Sequence, residues 1–534
     1  MHSRVFETPE LLGTICSVAE RQTCTVLLRL NQSSFRVVAP FVWNEVTQVT
    51  HLLQLIPGAN VPAASQGVTK ITLPSFASAN FSRFIVYAPY VRSLDVHSSV
   101  SVFPWKTLVL RSKQQPLLPH LSSLTIWQEN RKDPITKELM WMSVFLTRSL
   151  ASLCIQPSHN AKVGPIWGAS VLLNIILTSS PNIQHLTLPA VSEGTEGTDG
   201  EYCLLNLLQD QPIAESFCAL SNLHALTASS WILCNGSLQA LGSLPCLKRL
   251  KIFFRNSIPG ISETVPFEEN LFPALEHLCM ERLTWGNVVL AFSYRFLIRN
   301  LVSLKLVLKP DTDLLDNIDD AFLILKGIDR LIDLDIDFKY PDSCYEIEPD
   351  GIVLNTLSQM PLVTVQLSNA QLLDVSQVHL CQVFSSLVEL QMPDQYLDMA
   401  EFQFFARIPK LQSLGVAFGD SSTIEEVNTE DDVTPCPSLL TLELTNKKAD
   451  SISLHPEYVK PIARYFSQLF PRLKALRCPR LDIDESKIEY QCLDLLSVCM
   501  GLIRERSNAR TSIAEQCGWE VANRLLPDDP DLGI

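Results

Sequence analysis

The 534-residue chain is 46% hydrophobic and 19% charged, with a mean hydropathy of +0.15, a composition that calls for a large buried core and excludes general disorder. Its net charge of −15 argues against nucleic acid or an anionic membrane as main partner, since both need clustered basic surface; no segment approaches the ~18 consecutive apolar residues of a membrane span. Fifteen scattered cysteines with no Cys-x-x-Cys pair fit a reduced protein of the cytoplasm and/or nucleus better than a disulfide framework.

Residues 1–56 read as a small all-helical module. Thr8 stands at a helix N-cap with Pro9 at the first position and Glu10 in the first turn. Leu11, Leu12, Ile15 and Val18 then form an apolar stripe. A polar break over 19–23 precedes a second apolar set, Val26, Leu27, Leu28 and Leu30, and a third, Phe35, Val37, Val38, Phe41 and Trp43. Three helices this short bury little alone, so the module leans on a partner or on the chain that follows.

From 57 to 480 the pattern Leu-x-x-Leu-x-Leu returns, often after an apolar residue and Pro. Clear copies run over 180–188, 244–252, 272–280, 384–392, 408–416, 436–444 and 470–478. Cys436 fills the slot that Phe272, Phe384 and Phe470 hold in sister copies, and so reads as a small core residue. The central apolar residues fall at 94, 124, 153, 186, 226, 250, 278, 304, 334, 365, 390, 414, 442 and 476, at intervals of 24 to 40. This period and motif predict an α/β leucine-rich-repeat solenoid: a horseshoe with one parallel sheet and helical returns. The last two apolar residues of each motif alternate with a polar one, so a short strand turns them to one face. Return to the next parallel strand needs a crossover, and 169–178, 374–384, 399–408 and 458–470 carry helical spacing. No single repeat can cover its own apolar face, so stacked neighbours share one core.

Pro9-Glu10-Leu11-Leu12, Ile15, the polar turn, Leu27-Leu28-Arg29-Leu30, Phe35, Pro40 and Trp43 are followed by Leu52-Leu53-Gln54-Leu55-Ile56-Pro57. This stretch resembles the F-box-like module at the head of fungal F-box/leucine-rich-repeat proteins, and the order of module then repeats is similar too. The resemblance implies that the module docks on the Skp adaptor and through it on a cullin-RING ubiquitin ligase of SCF type, while the repeats select a protein substrate. Pro9, Leu11, Leu12, Ile15, Leu27 and Leu28 would then supply apolar contacts to the adaptor, and Trp43 would pack where module meets solenoid. Ala19 and Cys24 stand where the family usually has leucine, and Asn31 where a small Cys or Ser is common. The same helices read without the resemblance are a cap on the open solenoid end, in a binding scaffold with no ligase link.

Nothing in the chain suggests catalysis or a cofactor. There is no Gly-x-x-x-x-Gly-Lys-[Ser/Thr] loop, no dinucleotide turn, and no His-x-x-x-His pair for zinc. The three glycines of 194–200 sit among acidic residues, which repel phosphate. The charged strand positions invite a binding hypothesis instead. Asp333, Asp335 and Asp337 alternate with Leu334 and Ile336, so all three should leave the sheet on the face opposite the core, about 7 Å apart. That face must be wet or paired. Repeat register sets Lys305 beside Asp335, and places Arg249 and Lys251 at the equivalents of Asp333 and Asp335; Glu389 and Glu443 follow later. Arg249, Lys251, Lys305 and the three aspartates are therefore candidate substrate contacts on a polarised concave wall. Ordinary solvated charge is the plainer alternative, and a divalent metal on the aspartates a remote one.

Residues 481–534 are expected to close the last repeat with an amphipathic helix over 490–504, then end in an acidic tail from 518. Further acidic loops are expected at 311–320, 342–350 and 420–432.

Overall fold

Each Leu-x-x-Leu-x-Leu copy lies at a short parallel strand followed by a return segment. The computed structural model describes residues 8–62, 69–128, 136–156, 164–189, 191–192, 211–233, 235–253, 270–309, 318–339, 344–418, 435–445 and 456–477. The chain divides into two compact units, 1–275 and 276–534.

In the first unit the sheet strands are β1 (Glu45–Val46), β2 (Ser93–His97), β3 (Ser123–Trp127), β4 (Ser152–Gln156), β5 (His185–Thr187), β6 (Ala225–Ser229) and β7 (Arg249–Phe253). They pair in chain order, all parallel, and the register aligns Val46, Leu94, Leu124, Leu153, Leu186, Leu226 and Leu250 in one row. The second unit holds β8 (His277–Leu283), β9 (Ser303–Leu308), β10 (Asp333–Asp337), β11 (Thr364–Ser368), β12 (Glu389–Leu397), β13 (Ser413–Phe418), β14 (Thr441–Thr445) and β15 (Ala475–Arg477). Its row runs Leu278, Leu304, Leu334, Val365, Leu390, Leu414, Leu442 and Leu476. All fourteen motif centres occupy these two rows. Every member is buried except Leu476, on the last described strand, which is half-buried.

A second feature of the repeat explains the regularity. The carbonyl two residues before the strand's row position accepts two successive N–H groups from the next repeat. Arg92 O takes those of Ser122 and Ser123, Gln184 O those of His224 and Ala225, and Val302 O those of Ile332 and Asp333. The two variable residues of Leu-x-x-Leu thus bring their backbone donors to one acceptor, and the motif's spacing fixes where adjacent repeats lock.

The returns vary more than the strands. The 169–178 and 458–470 readings correspond to helices Ile166–Ser179 and Pro456–Leu469. The 399–408 stretch forms only Phe402–Ala406, and 374–384 splits into a turn, Val375–Gln377, and a short helix, Leu380–Val383. Val378 between them takes extended backbone, with ψ 122°, which interrupts the helix there. Cys436 is buried as its slot predicts. The 490–504 helix, the tail from 518 and the acidic stretches 194–200 and 420–432 lie outside the described residues, as do 311–317 and 342–343 of the other two acidic loops.

The N-terminal stretch forms three helices, α1 (Pro9–Val18), α2 (Arg21–Leu27) and α3 (Gln32–Trp43). Thr8 holds the N-cap of α1 in extended backbone, and the Asn31 side chain caps α3 by accepting from Ser34 N–H at 2.7 Å. Their core is Leu12, Cys16, Cys24, Leu27, Val38 and Val42. The predicted stripe is therefore divided: Leu12 and, four residues on, Cys16 turn inward, whereas Leu11 and Val18 face out. Cys24 fills its leucine slot as a buried thiol, and Ala19 packs at the core's edge. Burial, then the neighbouring Cys24, pushes the Cys16 thiol up to about 11, so it stays protonated and inert at neutral pH.

The sheet begins inside the 1–56 stretch, at β1. Two residues carry no complete motif, so the sequence pattern did not reveal this strand. The Arg21 guanidinium ties module to sheet, donating to Val42 O at 3.0 Å and Glu45 O at 2.8 Å. Trp43 and Phe35 pack on the first repeat through Tyr87, with centroids at 4.7 and 5.5 Å.

Candidate functional site

Two kinds of surface are built by these elements: the outside of the helical module, and the sheet face opposite the core in each unit. On the module, Pro9 and Leu11 are exposed, Ile15 and Leu28 are half-buried, and Leu12 and Leu27 belong to the core. The structure thus corrects the expectation that Leu12 and Leu27 touch a partner directly; α3 packs across α1 and α2 and covers both. The outward apolar surface is instead Leu11 (50% exposed), Val18 (85%), Val26 (66%), Leu30 (51%) and Phe41 (41%). Leu11 and Val18 are seven apart on α1, which returns them to one helix face.

In the second unit, the three aspartates leave β10 on the face opposite Leu334 and Ile336, as alternation requires. Each has a partner. Ser303 donates to Asp333 at 2.7 Å, and Lys305 pairs with Asp335 at 2.5 Å. Asp337 accepts from the Asn369 amide at 2.6 Å and from Lys339 N–H at 3.3 Å. The hydrogen bond to Asp335 holds the Lys305 ammonium above the usual lysine value against the opposing effect of burial. Lys305 faces Asp335 in the register inferred from the repeats, whereas Asn369 comes from the loop beyond β11 and gave no sequence signal. Asn369 adopts left-handed backbone at φ 56° and donates its N–H to the buried Asp394 at 2.5 Å. Asp394 and its neighbour Gln395, which accepts from Leu372 N–H, are bracing groups inside β12 that sequence patterning missed. Glu389 and Glu443 face Ser413 and Arg477 in register. Among the described residues, no three His, Cys, Asp or Glu side chains converge as metal ligands.

Arg249 and Lys251 belong to the first unit, and Lys305 and the aspartates to the second. On β7, Arg249 is exposed and Lys251 half-buried, beside Ala225 and Thr227 of β6. His185 of β5 lies in the same row as Arg249 through Ala225. Burial first, then the charges of Arg249 and His224, hold its imidazole below the usual histidine value. Toward β2 the face carries an aromatic pair unnoticed in the sequence: His97 and Trp127, opposite one another in register, stack at 6.1 Å and 13°.

No family model matches the chain, and no curated protein matches it. Among solved structures it is similar to an internalin from Listeria monocytogenes, at 12% identity and TM-score 0.31, over 70% of this chain and 89% of that one. It is also similar to TLR13 in a complex with ssRNA13, at 15% identity and TM-score 0.26, over 78% of this chain and 62% of that one. The repeated motif and its in-register parallel rows give the chain a leucine-rich-repeat fold. In such a fold the apolar rows form the core, and the alternate strand positions are left as a side-chain-studded platform. Among the described residues, no helix is long and apolar enough to cross a membrane.

Proposed function

We propose that the chain is the non-catalytic substrate-recognition subunit of an SCF-type ubiquitin ligase, acting in the cytoplasm and/or nucleus. In this reading α1–α3 dock on the Skp adaptor, and the solvent face of the repeats holds the protein substrate. The observation that carries it is the uneven distribution of exposed apolar groups. Of thirteen large apolar side chains exposed among the described residues, five fall between Leu11 and Phe41. A helical module with its own core yet so much apolar surface is suited to a partner. The resemblance of residues 9–57 to the F-box-like module names that partner as the adaptor.

Capture by purified Skp adaptor tests the proposal. The full chain should be retained, and Leu11→Asp with Val26→Asp, both exposed, should abolish retention without changing the circular dichroism spectrum. A second reading, a repeat scaffold whose helices only cap the first repeat, draws on the packing of Phe35 and Trp43 against Tyr87. Failure of the folded full chain to bind the adaptor would favour it.

A further inference from the structure

The sheet face of the first unit has a polarity of its own. At the β2–β3 end lie the stacked His97 and Trp127, with Trp127 37% exposed, and Asp95, which faces Thr125. At the β7 end lie Arg249 and Lys251. Between them the register sets two rows of side chains, all small except His185. One is Thr125, Cys154, Thr187 and Thr227, leading to Lys251; the other is Ser123, Ser152, His185 and Ala225, leading to Arg249. Apart from His185 these rows are uncharged, and they leave room for a backbone to lie close to the sheet.

Arg249 is exposed and has no ion pair among the described residues, so its charge is available to a ligand. Burial and positive neighbours hold the nearby His185 imidazole below the usual histidine value, and an arriving carboxylate would offset part of that. Asp95 at the far end repels the same carboxylate, so an acidic group is drawn to β7 only. Trp127 and β7 are four strand spacings apart, ~19 Å, and an extended chain covers that in about six residues. An exposed cation at one end of the face and an aromatic stack at the other can hold a short anionic peptide, whereas the many phosphates of a nucleic acid strand need more basic surface than this face offers.

We infer that this face binds an extended acidic peptide, a carboxylate at Arg249 and an apolar or aromatic side chain, about six residues away, on the His97–Trp127 stack. This specifies the substrate class, and it rests on the reading that the repeats hold the substrate. The test uses the full-length protein and a fluorescein-labelled peptide carrying one phenylalanine, a Gly-Ser spacer of about five residues and a run of glutamates. Arg249→Glu and Trp127→Ala should each weaken binding about tenfold or more, Asp95→Asn should leave it equal or tighter, and a glutamine version of the peptide should bind at least tenfold less. Circular dichroism confirms that each variant is folded. Absence of binding, binding indifferent to Arg249→Glu, or displacement of the peptide by an RNA oligonucleotide at lower concentration would each overturn the inference. Adaptor capture is scored separately on wild-type protein, so loss of the ligase reading and loss of the peptide site give different results.

Discussion

Leu334→Ala gives the most direct measure of what the repeat rows contribute. Leu334 is fully buried between Leu304 and Val365 in register, with Asp333 and Asp335 turned to the other face. The substitution removes three carbons, worth ~2.4 kcal/mol at ~0.8 kcal/mol each. The cavity left between row neighbours that cannot collapse raises the cost to ~3–5 kcal/mol. Asp335→Asn, one residue away, alters only a pair whose lysine is 46% exposed, and should cost ~0–1 kcal/mol. Urea denaturation of both variants gives the contrast, and amide exchange locates it. Because each repeat touches only its neighbours, protection should fall first in β9, β10 and β11 and least in β14. Combining Leu304→Ala with Leu334→Ala should be non-additive by ~0.5 kcal/mol or more, since the two cavities merge. A cost below ~1 kcal/mol for Leu334→Ala, or one equal to that of Asp335→Asn, would refute the claim that the rows carry the stability.

Two further outcomes follow from particular contacts. A Cβ on Gly242 would lie 2.8 Å from Leu271 Cβ and 2.9 Å from its Cδ2. The first of these atoms cannot swing away, so Gly242→Ala should destabilise by ~1–3 kcal/mol in denaturant titration; a neutral result would mean that this turn repacks freely. For His185, NMR titration should find a pKa below the usual 6.5. The unfolded chain binds the proton first, so stability from this group is present above pH 6.5 and is lost as pH falls through the folded value. Arg249→Gln should move that pKa upward without restoring 6.5, because burial, the larger cause, remains. An unchanged pKa would remove Arg249 from the cluster.

The parts of this protein written locally in the sequence are those with a fixed period. Leucines recurring at 94, 124, 153 and onward meet in register because every motif ends in the same two-residue alternation, and a strand turns alternate residues to one face. The pairing of Lys305 with Asp335 was legible for the same reason, one repeat being superposed on the next. So in principle was the His97–Trp127 stack, whose members sit three residues past their row leucines. Tertiary structure alone decided which side of α1 is covered. Leu11 and Leu12 are adjacent and equally apolar, but α3 lies over one and leaves the other in water. Only the fold could bring Asn369 to Asp337, or Arg21 to the end of α3. A side chain's direction is set by its own backbone, whereas its burial and its partners depend on segments that the chain delivers from elsewhere.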